Sequence, residues 1–119
     1  MPKFLLLYTF KGETLQGFMK RPNDRSQVVG AAAESVGGSL DSYYWMLGAN
    51  HDGLAILDLP DSNAAARIAL TISGSGAFLD VQIQELFSAQ EVMEMARNSG
   101  GVRYAAPGES AEYLSHPMP

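Results

Sequence analysis

The stretch "SLDSYYWMLGANHDGLAILDL", residues 39–59, decides the fold. Its first part, "SLDSYYWML", is rich in aromatic residues, and its last part, "LAILDL", is a short apolar run, so each is typical of a β-strand. The six residues between them, "GANHDG" at 48–53, are mostly glycine and polar residues that favour turns. The sequence therefore predicts a β-hairpin in the middle of the chain.

A helix is predicted on each side of this hairpin. The first begins at about Asp24 and ends at the Gly-Gly pair 37–38, because glycine commonly ends helices. Its predicted buried stripe is Val28, Ala32 and Val36. The second has Asp61 as a good N-cap and ends at "SGSG", 73–76. Its predicted stripe is Ala65, Ile68, Ala69 and Ile72. A shorter helical pattern at 15–19 is interrupted by "KRPND".

An outer strand is predicted at each end of this arrangement. Residues 3–11 are nearly continuously apolar, which indicates burial on both faces. The segment "AFLDVQIQEL", 77–86, alternates and is typical of a half-exposed strand. Its predicted apolar face is Leu79, Val81 and Ile83, and its polar face is Asp80, Gln82 and Gln84. Ser88 and Glu91 form a capping-box pattern for a last helix that ends at about Asn98.

The order of these elements is strand–helix–strand, strand–helix–strand, and a final helix. It predicts an α+β, ferredoxin-like βαββαβ domain with a four-stranded antiparallel sheet, covered by helices on one face. We assign this domain, with its C-terminal helix, to residues 1–98. Residues 99–119 have little periodicity, and two readings of this tail stay open: a flexible segment, or an arm docked on a neighbouring subunit.

Both faces of the predicted sheet are apolar. In the strand 54–59 the two faces carry Leu54 and Ile56 on one side, and Ala55, Leu57 and Leu59 on the other. Helices cover one face only, and monomers rarely expose an apolar patch as large as the other would be. A second copy packed about a two-fold axis would cover it. The sequence therefore predicts a homodimer, or a higher oligomer built from it, with the form of a dimeric α/β barrel.

The composition excludes several classes of function. The 119 residues carry a net charge of −5 and only eight scattered basic residues, so we expect no nucleic-acid partner. The apolar start "MPKFLLLYTF" is too short to span a bilayer, and we expect no membrane partner. There is no cysteine, which excludes thiol catalysis and zinc–thiolate sites and favours a reducing compartment. The predicted location is the cytoplasm.

Four segments resemble the GYD-domain family: "MPKFLLLYTF", "SYYWMLG", "HDGLAILDLPD" and "SGSGAF". The resemblance covers about residues 1–97. In the turn that gives the family its name, Gly48 matches the glycine, His51 takes the place of the tyrosine, and Asp52 matches the aspartate. The resemblance implies a ferredoxin-like, dimeric α/β-barrel fold, and it implies no particular reaction because the family is one of unknown function.

Three residues are candidates for catalysis. A histidine beside a carboxylate, His51-Asp52, can act as a general base, and Tyr8 is a candidate partner. The structural alternative is turn chemistry, in which Asp52 accepts backbone N–H bonds. The other histidine, His116, lies in the tail. Neither histidine has further His or carboxylate residues nearby at a spacing typical of metal ligands, so we expect no metal. No cofactor is predicted.

A ligand cleft is the other candidate site. Aromatic side chains with polar groups suit a small apolar or aromatic ligand, although the same rings also suit a packed core. The predicted cleft residues are Tyr8, Tyr43, Tyr44, Trp45, Asp80 and Gln82. The sequence therefore predicts a small-molecule-binding dimer with a cleft at the sheet-to-sheet face. Two alternatives stay open: a cofactor-independent oxygenase or isomerase acting on an aromatic or carbonyl metabolite, and a structural or regulatory interaction module.

Overall fold

The computed structural model describes residues 1–112, and these residues form four strands and four α-helices. The strands are β1 (Lys3–Phe10), β2 (Ser39–Trp45), β3 (Gly53–Asp58) and β4 (Phe78–Leu86). The helices are α1 (Gly12–Lys20), α2 (Arg25–Ser35), α3 (Ser62–Gly74) and α4 (Ala89–Asn98), followed by one short 3-10 turn, Ser99–Gly101. Residues 1–86 form one compact unit, and residues 87–112 belong to a second.

The sheet has the strand order β2-β3-β1-β4, and every neighbouring pair is antiparallel. In this order β2 and β3 are the two arms of the predicted hairpin, and β1 lies between β3 and β4. The arrangement is that of a ferredoxin-like fold. The predicted α+β class and the four-stranded antiparallel sheet are therefore confirmed.

The helix starts follow local capping chemistry. The carboxylate of Asp24 accepts a hydrogen bond from the backbone N–H of Ser26 at the start of α2. Asp61 does the same for the N–H of Ala64 at the start of α3, at 2.9 Å. A side chain that accepts from these N–H groups satisfies donors that the helix itself leaves unpaired. The predicted cap at Asp61 and the predicted helix start at about Asp24 are confirmed, and Asp24 is itself the cap of α2.

The structure decides which side of the sheet the helices cover. The residues of β1 that face the helices are all buried: Phe4, Leu6, Tyr8 and Phe10. They pack in one core with Leu57 of β3 and Ile68 of α3. The alternate residues of β1 point to the other side, as neighbours in a strand must. We call that other side the open face; its side chains are Leu5, Leu7, Thr9, Tyr44, Leu54, Ile56, Asp80, Gln82 and Gln84.

The predicted stripe of α2 is right at Val36, which packs against the core, and wrong at Val28. Val29 and Ala33 are buried, whereas Val28 is 43% exposed. The segment "VVGAAA" offers apolar side chains at consecutive positions, so its periodicity does not fix a single face. Packing against β2 chooses the face that holds Val29 and Ala33.

The predicted alternation of β4 fails at Leu79, which is 70% exposed. Thr9 pairs with Asp80, and Phe10 pairs with Phe78, so β4 has one extra residue at this point. The extra residue shifts the alternation by one position, so the residue before the bulge lies on the side opposite to the one that the rest of the strand would assign to it. Phe78 consequently occupies the core position that the alternation assigned to Leu79.

The second unit begins after β4 and contains α4. The predicted capping box is confirmed, because the N–H of Glu91 donates to the Ser88 hydroxyl and the N–H of Ser88 donates to the Glu91 carboxylate, each at 3.0 Å. Within residues 1–112, no helix combines the length and the hydropathy needed to cross a bilayer.

Candidate functional site

An aromatic cluster lies between the sheet and the helix layer. Its members are Tyr8, Phe10, Phe18, Tyr43, Trp45 and Phe78. The rings of Phe10 and Phe78 are stacked with centroids 4.9 Å apart, and Tyr8 meets each of them edge-on at 5.1 Å. Trp45 packs on Phe10 and on Phe18 of α1. Such contacts hold each ring in a defined orientation.

Two small residues in β3 make room for this cluster. Gly53 is paired with Tyr8 on one side and with Trp45 on the other, and Ala55 is paired with Tyr43. A Cβ atom at Gly53 would overlap the ring of Tyr8 and lie 2.6 Å from its hydroxyl oxygen. Because β3 has no bulky side chain here, the Tyr8 ring crosses over β3 toward Tyr43 in β2.

The hydroxyl groups of Tyr8 and Tyr43 are hydrogen-bonded to each other. Burial, followed by this hydrogen bond, raises the pKa of Tyr8 above its usual range. Burial also raises the pKa of Tyr43. A phenol is protonated at neutral pH in water already, and the buried environment disfavours the phenolate further, so both groups keep their protons to a higher pH. One hydroxyl donates to the other, and the proton of the acceptor is left to donate to a further group.

A cavity of about 500 Å³ opens beside this cluster, between the sheet and helices α1, α2 and α3. We call it the helix-side cavity. Tyr8, Phe10 and Phe78 form its floor on the sheet, and Phe18 lines it from α1. Residues from α2 and α3 complete its apolar wall. Trp45 supports the floor from behind through its contact with Phe10.

Arg25, the first residue of α2, brings a positive charge into this cavity. The carbon of its guanidinium group lies 5.8 Å from the centre of the Phe10 ring, a cation–π contact. Its Nε atom is buried and has no hydrogen-bond partner within the described residues. Arg25 was not among the site residues predicted from the sequence. The available signal was its position, since a cation in the first turn of a helix opposes the helix dipole.

Asp52 joins the hairpin to the end of β1. Its Oδ2 accepts a hydrogen bond from the backbone N–H of Phe10, at 2.8 Å. Its own N–H donates to the carbonyl of Tyr8, and its carbonyl accepts from the N–H of Met46, both at 2.8 Å. These bonds fix the position of the loop relative to the end of β1, which carries Tyr8 and Phe10. Asp52 accepts a backbone N–H as its structural alternative expects, but the donor is in β1 and not in the turn.

His51 lies on the open face, away from the carboxylate of its sequence neighbour. Its Nδ1 is 3.4 Å from the hydroxyl oxygen of Thr9 and 3.8 Å from Oδ2 of Asp80. Gln82 donates to the same oxygen of Asp80, at 2.9 Å. His51 and Asp52 consequently have different partners. Tyr8 is separate from both side chains, because it is buried under the helices. The three catalytic candidates do not form one constellation within a single chain.

The predicted cleft residues are divided between the two sides of the sheet. Tyr8, Tyr43 and Trp45 belong to the aromatic cluster on the helix side. Tyr44, Asp80 and Gln82 lie on the open face, where Tyr44 is 65% exposed. The division follows from the strand period of two, which sends neighbouring side chains to opposite sides.

Within residues 1–112 no group of three or more His, Cys, Asp and Glu side chains is placed to hold a metal ion. The other histidine considered from the sequence, His116, lies outside the described residues.

A family model described as "GYD domain" matches residues 4–96, from the start of β1 into α4. A comparison with curated proteins gives no match. Because the family model covers most of the chain, the protein belongs to the GYD-domain family.

Proposed function

We propose that this member of the GYD-domain family is a small-molecule-binding dimer that holds one ligand in the helix-side cavity of each chain. The cavity itself carries the proposal: its volume, about 500 Å³, is typical of small-molecule sites. Such sites are mostly apolar with a few polar groups that orient the ligand. Here aromatic rings supply the apolar wall, and the Tyr8 hydroxyl supplies a polar point on the floor.

The sequence led us to expect the cleft at the sheet-to-sheet face. The helix side is better supported, because Tyr8 and Trp45 lie under the helices and the open face is lined by aliphatic side chains at its centre. The dimer and the ligand site then use opposite sides of one sheet.

Substitution of Gly17 tests the position of the ligand. Gly17 of α1 lines the cavity, and a Cβ atom built there meets nothing within 4 Å, so a side chain can enter the cavity without disturbing the fold. We expect Gly17→Leu to abolish binding of the neutral fluorescent probe N-phenyl-1-naphthylamine. Gly12→Leu is the control, because Gly12 is in the same helix, has equally open space and does not line the cavity. Unchanged probe binding by Gly17→Leu would contradict the proposed position.

The open face supports the dimer. Its central strands contribute Leu5, Leu7, Leu54 and Ile56. Both of its ends are polar: the ammonium of Lys3 is 2.8 Å from the carboxylate of Asp58 at one end, and the imidazole of His51 is near the carboxylate of Asp80 at the other. A face that joins two identical copies about a two-fold axis must be complementary to itself. An apolar centre between polar ends meets this requirement.

The subunit number tests the dimer. Leu7→Lys places a charge at the centre of the open face, and we expect light scattering to find monomers for this variant and dimers for the unchanged protein. Met19→Lys is the control, because Met19 is an exposed apolar residue of α1, 71% exposed, on the helix layer. A monomeric unchanged protein at micromolar concentration would remove the dimer from the proposal and leave the ligand cavity standing.

A cofactor-independent enzyme, an oxygenase or isomerase of an aromatic or carbonyl metabolite, is the second candidate function. One observation favours it: the buried hydroxyl pair of Tyr8 and Tyr43 consists of neutral phenols. Neutral donors in a site that excludes water can stabilise negative charge that develops on a carbonyl oxygen. It ranks second because His51, the candidate base, lies on the open face. Tyr8→Phe would abolish turnover and leave binding of the neutral probe unchanged if the enzyme reading is right.

A further inference from the structure

The charged side chains that line the helix-side cavity are all of one sign. The chain has thirteen acidic and eight basic residues, so a random selection of its charged side chains would be mostly acidic. Within residues 1–112, however, the charged residues that line the cavity are Arg21 and Arg25, and no acidic side chain lines it. The lining of the cavity is therefore cationic in a protein whose net charge is negative, although the carboxylate of Asp24 is close enough to act on Tyr43. A cationic lining favours an anionic ligand.

Arg25 is the cation best placed to meet such an anion. The face of its guanidinium makes the cation–π contact with the Phe10 ring, and its charge partly offsets the rise that burial causes in the pKa of Tyr8. Its buried Nε lacks a hydrogen-bond partner in the part of the chain described. Asp24, its acidic neighbour, accepts from both the N–H and the hydroxyl of Ser26 and caps the helix instead. The Nε atom is shielded from solvent, so a carboxylate in the cavity would be bound through the terminal Nη groups of the same guanidinium, which share its charge.

The rest of the cavity indicates what the anion is attached to. The wall next to Arg25 consists of the rings of Phe10, Phe78 and Tyr8, with Phe18 on the helix side. Planar rings pack on such a wall in offset-stacked and edge-on arrangements that add to the gain from burial alone. A volume of about 500 Å³ holds a compact ligand of one to a few rings.

We infer that the helix-side cavity takes an aromatic carboxylate, with its ring against Phe10 and Phe78 and its carboxylate bound by Arg25. The inference rests on the proposed small-molecule function and names its ligand class. Arg25 selects the anion, and the aromatic floor selects the ring. Arg21, which lines the same cavity and is more exposed, adds to the positive potential at its edge.

A pair of probes of the same shape tests the selection by charge. Binding of 2-naphthoate and of its neutral analogue 2-naphthamide is measured by isothermal titration calorimetry on the full-length protein. We expect naphthoate to bind about 10- to 100-fold more tightly, the usual gain from hydrogen bonds between charged groups. Arg25→Gln should remove this preference. Arg67→Gln, which removes an arginine of α3 that does not line the cavity, should preserve it.

Arg25→Lys is a second variant, and circular dichroism shows whether each variant is folded. Lysine keeps the charge and loses the planar donor group, so it should retain part of the preference for naphthoate. Suppose that the unchanged protein binds naphthoate and naphthamide equally, and that Gly17→Leu weakens the binding of both. This result would overturn the inference about the anion and would still support the proposed binding function. Failure of naphthoate, naphthamide and N-phenyl-1-naphthylamine to bind would overturn the inference and the proposed function together.

Discussion

The two sides of the sheet differ in how they use apolar residues. On the helix side, Tyr8 and Phe10 are buried within the chain and leave a cavity beside them. On the open face, Leu5 and Leu7 are the next residues of the same strand, and they form an aliphatic surface without a ring between them. On the helix side, α1, α2 and α3 leave a cavity over the rings, and this cavity is the proposed ligand site. On the open face, the aliphatic side chains suit the proposed contact with another copy.

The glycine content of β3 sharpens this difference. Gly53 is in the one strand position where the Tyr8 ring crosses, and the open-face residue next to it is Leu54. On the helix side, β3 therefore has no side chain at Gly53, whereas on the open face it has the full side chain of Leu54. Alternate residues of β3 therefore contribute to the two sides in different ways: Gly53 leaves room for the Tyr8 ring, and Leu54 belongs to the proposed contact between copies.

The largest effect is expected for Leu6, which is fully buried on the helix side. Leu6→Ala should lower the free energy of unfolding by about 2–5 kcal/mol, because a cavity replaces the lost methyl groups in the core. Chemical denaturation measures this loss. Leu7→Ala removes the same atoms on the open face, and its effect should be a larger dissociation constant of the dimer. A Leu6→Ala loss below about 1 kcal/mol, or unchanged dimer dissociation in Leu7→Ala, would contradict the contrast between the faces.

The next effect is expected for Gly53. Gly53→Ala places a Cβ atom inside the ring of Tyr8, and the strain should lower the free energy of unfolding by about 1–3 kcal/mol. Gly12→Ala is the control, since nothing lies within 4 Å of that position. If the ring is the obstacle, Gly53→Ala should be better tolerated when Tyr8 is also replaced by alanine. An equal loss with and without the ring would show that the backbone at Gly53 is the cause.

Asp52 connects the two sides through the backbone of β1. Asp52→Ala leaves the N–H of Phe10 without its acceptor, and denaturant melts should find a loss of about 1–2 kcal/mol. Asp52→Asn keeps an oxygen that can accept the bond, so it should retain most of the stability. If Asp52→Ala leaves the free energy of unfolding unchanged, Asp52 is not a structural residue, and a role in ligand binding or catalysis becomes the better explanation.

Tyr8→Phe should lower the free energy of unfolding by about 1 kcal/mol at neutral pH, since the Tyr43 hydroxyl loses its partner. The difference from the unchanged protein should depend on pH. Burial raises the folded-state pKa of Tyr8 above its usual value of 10.0, so the folded state binds the proton more tightly than the unfolded chain. The stability from this phenol is complete below about pH 10 and is lost as the pH rises toward the folded-state pKa. Melts from pH 8 to 11 should therefore show the two proteins converging above pH 10.

The smallest effect is expected for His51. Its nearest polar contacts are at 3.4 and 3.8 Å, which are too long for strong bonds. His51→Ala should change the free energy of unfolding by less than about 0.5 kcal/mol. A loss as large as that of Asp52→Ala would show that the open-face contacts of His51 with Thr9 and Asp80 stabilise the fold.

The element order was predictable from the sequence because its signals are local. The caps Asp24 and Asp61 each act on an N–H two or three residues away, and the same is true of Ser88 with Glu91. The bulge at Leu79 was not predictable, because it depends on how β4 is paired with β1 and the strand itself alternates without a break. Arg25 was missed for a similar reason: its contact with Phe10 joins two elements far apart in the chain.

The sequence by itself determined the α+β class, the hairpin, the four strands and the caps, since each follows from the residues next to it. Only the tertiary structure decided which side of the sheet the helices cover, and with it that Tyr8, Tyr43 and Trp45 line or support a cavity while Tyr44, Asp80 and Gln82 do not. A strand period of two separates the side chains into two sets, but it does not say which set faces the helices. When both sets are apolar, as in β1 and β3, packing against α2 and α3 determines which set is buried under the helices. That packing depends on the whole fold.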